Sequence, residues 1–421
     1  MFFEHQHWPE VSSIVGKLTS DGHTALLAGG CVRDALLGVT PKDFDIATSA
    51  TPDQVERLFP ESLNIGRAFG VMIVPRDGFN VEIATFRDDG LYIDGRRPEK
   101  IVFSNPQKDA ARRDFTVNAL FYDLQKQELI DFVDGESDVK KCILQTVGDP
   151  ELRFNEDHLR LMRAVRFCAQ LNFSLAESTY LAVRHNAHKI DKISIERTRE
   201  ELRKLLLSDR PVVGLQLMEF TNLLEVLLPE IAIDEAWLET KMRIEQVSAE
   251  RTTFMLRWSL LFLPRWMQDS SFADSESEVV RKKIREFSKQ FWLKWKFSKE
   301  ELGEAEFYLY AATLLSGKLK IRMGEMYILL TSPWAIGARV LSRLLEPGVV
   351  DNQLAKLLAC SNDVPFKLPA QLLTGEDLLQ AGIKDRLRFG GILHEAKCMQ
   401  LEGRLHDRAG ALEWLKKTSL T

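Results

Sequence analysis

The chain has 421 residues, 45% hydrophobic and 28% charged, an ordinary globular balance with room for about two to four domains. Its longest apolar run, WSLLFLP at 258–264, falls well short of the roughly 18 residues of a membrane span, so no membrane association is expected. A net charge of −5 excludes a uniformly basic nucleic-acid-binding surface and leaves only local basic patches for that purpose.

The start, MFFEHQHWPEV, has no basic segment followed by an apolar one, so no secretory leader is expected. Cys31, Cys142, Cys168, Cys360 and Cys398 are scattered, odd in number and without a C-x-x-C pair. They suit a reducing, cytoplasmic location and argue against a disulfide framework or a zinc site.

In chain order, HTALLAGG reads as a strand ending in a Gly-Gly turn, and CVRDALLG as a helix closed by Gly38. DFDIATS is the next strand. TPDQVERLFP opens a helix with Thr51 as N-cap, Pro52 at the first position and Gln54 completing a capping box. VMIVPRDGFNVEIATFR is a hairpin turning at Asp77-Gly78, and LIDFVDG a last short strand and turn. From about residue 141 the pattern becomes helical, in EDHLRLMRAVRFCAQL, SIERTREELRKLLL, VVGLQLMEFTNLLEVLL and beyond. The expected architecture is an α+β head with a small mixed sheet over 1–140. An all-α remainder follows, divided at 141–206, 207–345 (to the LEPGVV break) and 346–421.

Two features carry chemistry. KDFDIATS places Asp43 and Asp45 two residues apart on a strand, where side chains share a face; such a pair is costly unless a cation lies between them. Taken alone, a solvated strand edge is the ordinary reading of D-x-D. Upstream, AGGCVRD sets Gly29 and Gly30 between a strand end and a helix start, where amide N–H groups can cradle phosphate, with Arg33 in reach of the same anion. Phosphate donors on one side and carboxylates on the next strand form a stronger combination than either alone. Glu82, on NVEIATF, can approach the same metals or stand outward on its strand.

LLAGGCVRDALLGVTPKDFDIATSATPDQVERLF resembles the head of class II tRNA nucleotidyltransferases and the related bacterial poly(A) polymerases. ARRDFTVNAL, DFVDGESDV, EDHLRLMRAVRF and ERTREELRKLL follow in the family's order, so the resemblance covers about residues 23–206. It implies a nucleotidyltransferase palm in the head, then a helical neck, body and tail. It also implies that Asp43 and Asp45, with Glu82 nearby, hold Mg²⁺ in a two-metal site, and that Gly30 and Arg33 hold the triphosphate. Arg113 becomes a nucleotide ligand, with Asp114 and Asn118 shaping the ribose site; the ordinary reading of Arg112-Arg113 is surface solubility.

EDHLRLMRAVRF reads as one helix, with Leu159, Met162, Val165 and Ala169 on an apolar face and Glu156, Arg160, Arg163 and Phe167 on another. An i,i+3 ion pair between Asp157 and Arg160 is its ordinary reading, worth roughly 0.2–0.5 kcal/mol. The resemblance makes the two a template that imitates a complementary base edge. Arg163 and Arg166 add charge for phosphates, and Glu196 and Arg197 support the template helix.

RKKIREFSKQFWLKWKFSK, residues 281–299, has eight Lys/Arg against one acid and interleaved aromatics, which suits an RNA backbone or an amphipathic helix with an aromatic core stripe. The stretch 372–403 is similar to the tail of bacterial tRNA nucleotidyltransferases that contacts the tRNA elbow, with Lys384-Asp385-Arg386 where the family often has proline and glycine.

The resemblance implies tRNA, CTP and ATP as partners, with no protein partner. CCA addition is the leading reading. FRDDGLYIDGRRPEKIVFSNP at 86–106 is an intact basic loop of the kind CC-adding enzymes shorten, and GRAFGVMIV differs from the GRRFR-like stretch of poly(A) polymerases. An A-adding enzyme, a poly(A) polymerase and an RNA-binding module with an inactive head are the alternatives. A P-loop kinase is excluded by the lack of G-x-x-x-x-G-K-[ST], and the lone His406-Asp407 does not make an HD phosphohydrolase.

Overall fold

The computed structural model describes residues 5–89, 101–248, 252–268, 277–316, 322–345 and 369–418. Residues 90–100 of the basic loop, most of LEPGVV, and Cys360 lie outside them. Contacts divide the chain into two compact units, Met1–Pro229 and Glu230–Thr421.

The first unit opens with α1 (Trp8–Ser20), whose Val11, Ile14, Val15 and Leu18 form the buried stripe of an amphipathic helix. Next come β1 (Ala25–Ala28), α2 (Gly30–Leu36), β2 (Phe44–Thr48) and α3 (Pro52–Leu58). The capping box is present: Gln54 N–H donates to Thr51 Oγ1 at 3.4 Å and Thr51 N–H to Gln54 Oε1 at 2.8 Å. β3 (Leu63–Gly66) leads to the hairpin of β4 (Val71–Arg76) and β5 (Phe79–Thr85), whose turn residue Gly78 has φ +81°. β6 (Arg87–Asp89) and β7 (Ile101–Phe103) form a separate antiparallel ladder at the root of the loop. α4 (Pro106–Ala111), β8 (Phe121–Asp123), β9 (Glu128–Ile130) and α5 (Gly135–Lys141) complete the head.

Seven strands make one sheet in the order β3-β4-β5-β2-β1-β8-β9. β2 and β5 pair in parallel and the other neighbours antiparallel, so the sheet is mixed, as the sequence indicates. All four residues of β1 are buried, as befits a strand inside the sheet. Leu26, Ala28, Ala47, Phe86, Ala110, Ala119, Phe121 and Val147 form a core cluster against it.

The helices that follow are α6 (Pro150–Glu156), α7 (Arg160–Leu171), α8 (Glu177–Asn186), α9 (Ile195–Leu206), α10 (Pro211–Phe220) and α11 (Leu223–Leu227). EDHLRLMRAVRF is therefore two helix segments and not one. Asp157 is extended, at φ −141° and ψ 106°. Its carboxylate accepts the Leu159 N–H at 3.1 Å, and its carbonyl accepts that of Arg160 at 3.0 Å. This local turn competes with the helix ladder, a common behaviour of aspartate. The expected apolar face survives the break, with Leu159, Met162, Val165 and Ala169 buried.

The second unit is helical: α12 (Glu235–Gln246), α13 (Phe254–Met267), α14 (Ser277–Phe291), α15 (Lys299–Leu315), α16 (Met323–Thr331), α17 (Ala335–Leu344), α18 (Gly375–Gln380), α19 (Phe389–Leu401) and α20 (Arg408–Thr418). Trp258, Trp292 and Trp295 are fully buried, with Trp258 edge-on to Trp295 at 4.9 Å. The aromatics of 281–299 thus serve the core, while Lys282, Arg285 and Lys289 lie exposed. Among the described residues no helix is long and apolar enough to cross a membrane.

Candidate active site

Asp45 on β2 and Glu82 on β5 are register partners in the parallel ladder, so both side chains leave the same face of the sheet. β2 begins at Phe44, so Asp43 stands in the bend just before the strand and not on it. Asp45 and Glu82 open onto a cavity of about 790 Å³ while its walls crowd their other sides. That desolvation, then the charge of Glu82, push the Asp45 carboxyl up to about 6; Arg113 pulls against them and Asp43 adds to the rise. The Glu82 carboxyl is likewise raised, first by burial and then by Asp43, against the pull of Arg113. The three acids feel one another, and a divalent cation relieves such crowding. An oxygen-only set of carboxylates suits a hard divalent ion.

The facing wall is basic. Arg33, Arg112, Arg113, Arg160, Arg163 and Arg197 all line the cavity with Gly29 and Gly30. Acids hold these arginines in place. Arg33 donates to Asp34 at 2.6–2.9 Å and also to the Asn118 side-chain oxygen. Arg113 is forked onto Asp109 at 3.0–3.1 Å and donates to the Asn118 carbonyl at 2.9 Å. Arg163 grips Asp114 with two bonds of 2.8 and 2.5 Å. Burial would raise the Asp114 carboxyl, but Arg163 overrides it and brings it down to about 2. Asn118 donates to Asp114 at 3.2 Å, so this network joins the Gly-Gly turn to α7.

Of the two glycines, Gly29 is the irreplaceable one. It sits at φ +72°, and a Cβ there would stand 2.9 Å from an Arg113 nitrogen. Gly30 has room, its nearest neighbour being Arg33 at 3.7 Å.

At the cavity's other end, the α6–α7 break presents Asp157, Leu159 and Arg160. Asp157 pairs with Arg197 from α9 at 3.2 Å, and Arg160 pairs with Glu156 at 2.5 Å. The helical i,i+3 geometry does not apply across this break.

Of the residues singled out in the sequence, Gly30, Arg33, Asp45, Glu82, Arg113, Asp114, Asn118, Asp157, Arg160 and Arg163 line this one cavity. Asp43 and Arg166 are not among its lining residues. Arg166 donates to Glu201 at 2.7 Å and Gln170 at 2.6 Å, and its guanidinium lies 3.6 Å from the Phe167 ring centre. It braces the ring that forms part of the cavity wall. Phe69, Arg87 and Phe167 also line the cavity. Phe69 and Arg87 carry no local signal, because only the fold around Gly70 and β6 turns them inward.

In the second unit Glu325, His394 and Cys398 lie with ligand atoms within 4.8 Å of one another. An Arg281 nitrogen stands 3.4 Å from the His394 Nε2, and its positive charge opposes a cation there.

Residues 25–145 match the family model described as "Poly A polymerase head domain", and residues 172–234 match "Probable RNA and SrmB- binding site of polymerase A". The CCA-adding enzyme of Levilactobacillus brevis is 32% identical over 97% of this chain and 98% of its own length. That of Ligilactobacillus salivarius is 34% identical over 96% and 95%. A solved structure, "Crystal structure of Bacillus stearothermophilus CCA-adding enzyme in complex with CTP", superimposes with a TM-score of 0.72 at 26% identity, covering 99% of this chain and 98% of that one. With identity sustained from end to end in this way, the chain belongs to the family of CCA-adding enzymes.

Proposed function

We propose that this enzyme extends the 3′ end of tRNA by C, C and A, using CTP and ATP in one cavity and releasing pyrophosphate at each addition. The observation that carries this reading is the meeting, in that cavity, of the Asp45–Glu82 rung, the arginine wall and the Asp157–Arg197 pair at the α6–α7 break. The end-to-end similarity to CCA-adding enzymes favours it over A-adding enzymes, poly(A) polymerases and an inactive head. The head, neck, body and tail division at about 140, 206 and 345 belongs to the same reading.

Asp43 and Asp45, with Glu82 beside Asp45, would hold Mg²⁺, which when bound neutralises triphosphate charge and eases deprotonation of the primer hydroxyl. Arg33, Arg113 and the turn at Gly30 bind the triphosphate, their heads already fixed by Asp34, Asp109 and Asn118. Asp114 and Asn118 bound the ribose. Asp157 and Arg160 present acceptor and donor groups to the base edge, with Arg197 keeping Asp157 oriented. The 3′ oxygen of the primer attacks the α-phosphorus, and the bond to the pyrophosphate oxygen breaks. The arginine wall stabilises the negative charge gathering on that leaving group. Arg163 belongs to that wall, held on Asp114, and Arg166 acts from behind it through Phe167.

Incubating the purified protein with a tRNA that lacks its 3′ terminal triplet, CTP and ATP, then sequencing the product ends, tests this reading. A product ending in CCA is expected; long adenylate tails on unrelated RNA would make the enzyme a poly(A) polymerase.

A further inference from the structure

Asp109 is only 1% exposed, on α4, and does not line the cavity, yet it holds two arginines that do. Its Oδ1 accepts Arg112 Nε at 2.9 Å and Nη2 at 2.6 Å, and also the Arg87 backbone N–H at 3.3 Å. Its Oδ2 accepts Arg113 Nε at 3.1 Å and Nη2 at 3.0 Å. The third Arg113 nitrogen is fixed by the Asn118 carbonyl at 2.9 Å, and the guanidinium lies 4.9 Å from the Phe121 ring centre.

One carboxylate thus divides its two oxygens between two neighbouring guanidinium groups that would otherwise repel each other. A planar fork on a fixed carboxylate leaves little freedom to the cation that carries it. The remaining faces of Arg112 and Arg113, 18% and 19% exposed at the side chain, look into the cavity. Through Arg87 the same carboxylate reaches the first residue of β6, at the root of the β6–β7 ladder.

We propose that Asp109 is a positioning residue for nucleotide capture: it sets the stance of Arg112 and Arg113 toward the triphosphate and couples that stance to the β6–β7 ladder. The inference rests on the reading of the cavity as a CTP and ATP site. Because the triphosphate is common to both nucleotides, Asp109 governs their grip equally and leaves the choice of base to the α6–α7 break.

The test compares wild type, D109N, R113A and the double variant, measuring KM and kcat for CTP and ATP together with thermal unfolding. D109N is expected to raise both KM values together, by roughly tenfold or more, with a smaller loss of kcat that is the same for CTP and ATP. In the double variant the combined loss should be smaller than the product of the two single losses, since Asp109 works in part through Arg113. Unchanged KM values, a kcat loss at constant KM, or fully multiplicative losses would overturn the proposal. If D109N fails to fold, D109E carries the test: it keeps the charge but displaces the acceptor by one methylene, and is expected to raise KM in a folded protein. Wild-type KM in D109E, or a D109E that also fails to fold, overturns the proposal. A wild type that extends tRNA with neither nucleotide would instead sink the reading of the cavity, so the two failures are distinguishable.

Discussion

Asp45 and Glu82 share one rung of the parallel β2–β5 ladder, which sends a carboxylate from each strand into the same cavity. Asp43, in the bend before β2, adds its charge to both. Removing the Asp45 or Asp43 carboxylate should lower nucleotide addition by roughly a hundredfold or more while tRNA binding stays near wild type. Glu82→Gln should cost less, because it keeps the shape of the side chain. Single-turnover extension and a tRNA gel shift, run on the same preparations, check this. Wild-type turnover in Asp45→Ala would remove the two-carboxylate site.

The raised Asp45 carboxyl gives a pH signature for cation binding. With its value near 6 in the metal-free protein, a proton competes with the cation below that pH. Divalent affinity should therefore climb as pH rises to about 6 and then flatten. Calorimetric titration of Mn²⁺ between pH 5 and 8 follows it, and Asp45→Asn should weaken binding and flatten the slope, leaving only the part due to the raised Glu82 carboxyl.

Asp114 predicts an acid dependence of stability of the opposite origin. Its carboxyl is lowered from 3.8 to about 2 in the folded chain, so the unfolded chain binds the proton more readily between those values. The stabilisation from its pairing with Arg163 is fully present above about pH 4 and is lost as pH falls through 2; linkage gives it a size of about 2 kcal/mol. Urea unfolding of wild type and Asp114→Asn should show a gap at pH 5 that narrows toward pH 2. A gap independent of pH would contradict the pairing.

Gly29→Ala is predicted to weaken nucleotide binding and stability together. The backbone at φ +72° and ψ −125°, a region that glycine adopts and other residues avoid, costs an alanine roughly 1–3 kcal/mol, and its methyl would press on Arg113. Gly30→Ala, with its nearest neighbour at 3.7 Å, should be milder. Equal effects at the two positions in CTP titrations and thermal melts would contradict the close approach of Arg113.

Base choice should depend on Arg197 as well as on Asp157 and Arg160. In the proposed reading Asp157 offers the acceptor to the base, and its 3.2 Å pair with Arg197 fixes that acceptor, so Arg197→Ala should relax discrimination among CTP, ATP, UTP and GTP by roughly tenfold. Misincorporation frequencies from end-sequencing measure it; unchanged values would assign base reading elsewhere.

What the residues announced in advance was whatever depends on near neighbours. The capping box at Thr51 and Gln54, the Asp77-Gly78 hairpin and the apolar face of α7 follow from spacing alone, and all are present. The helix break at Asp157 escaped because an aspartate turn between two periodic segments does not disturb the period. Asp43 escaped its strand because β2 starts one residue later. Arg166 looked like a free cation in the string, and Glu201, 35 residues on, claims it only in the fold. Asp109 showed only the i,i+3 and i,i+4 spacing to Arg112 and Arg113; its burial, and the Arg87 N–H that joins both arginines on one carboxylate, come from the fold.

The central claim is that one cavity serves both CTP and ATP in turn. The most direct measurement offers the purified protein three labelled tRNAs, ending at the discriminator base, at C and at CC, with CTP and ATP separately and together. CTP alone is expected to extend the first two to CC and stop. ATP alone is expected to extend only the CC-ended tRNA, by a single residue, and both nucleotides together to complete all three to CCA. Extension of the CC-ended tRNA alone, with the other two left untouched, would contradict the account and make this an A-adding enzyme.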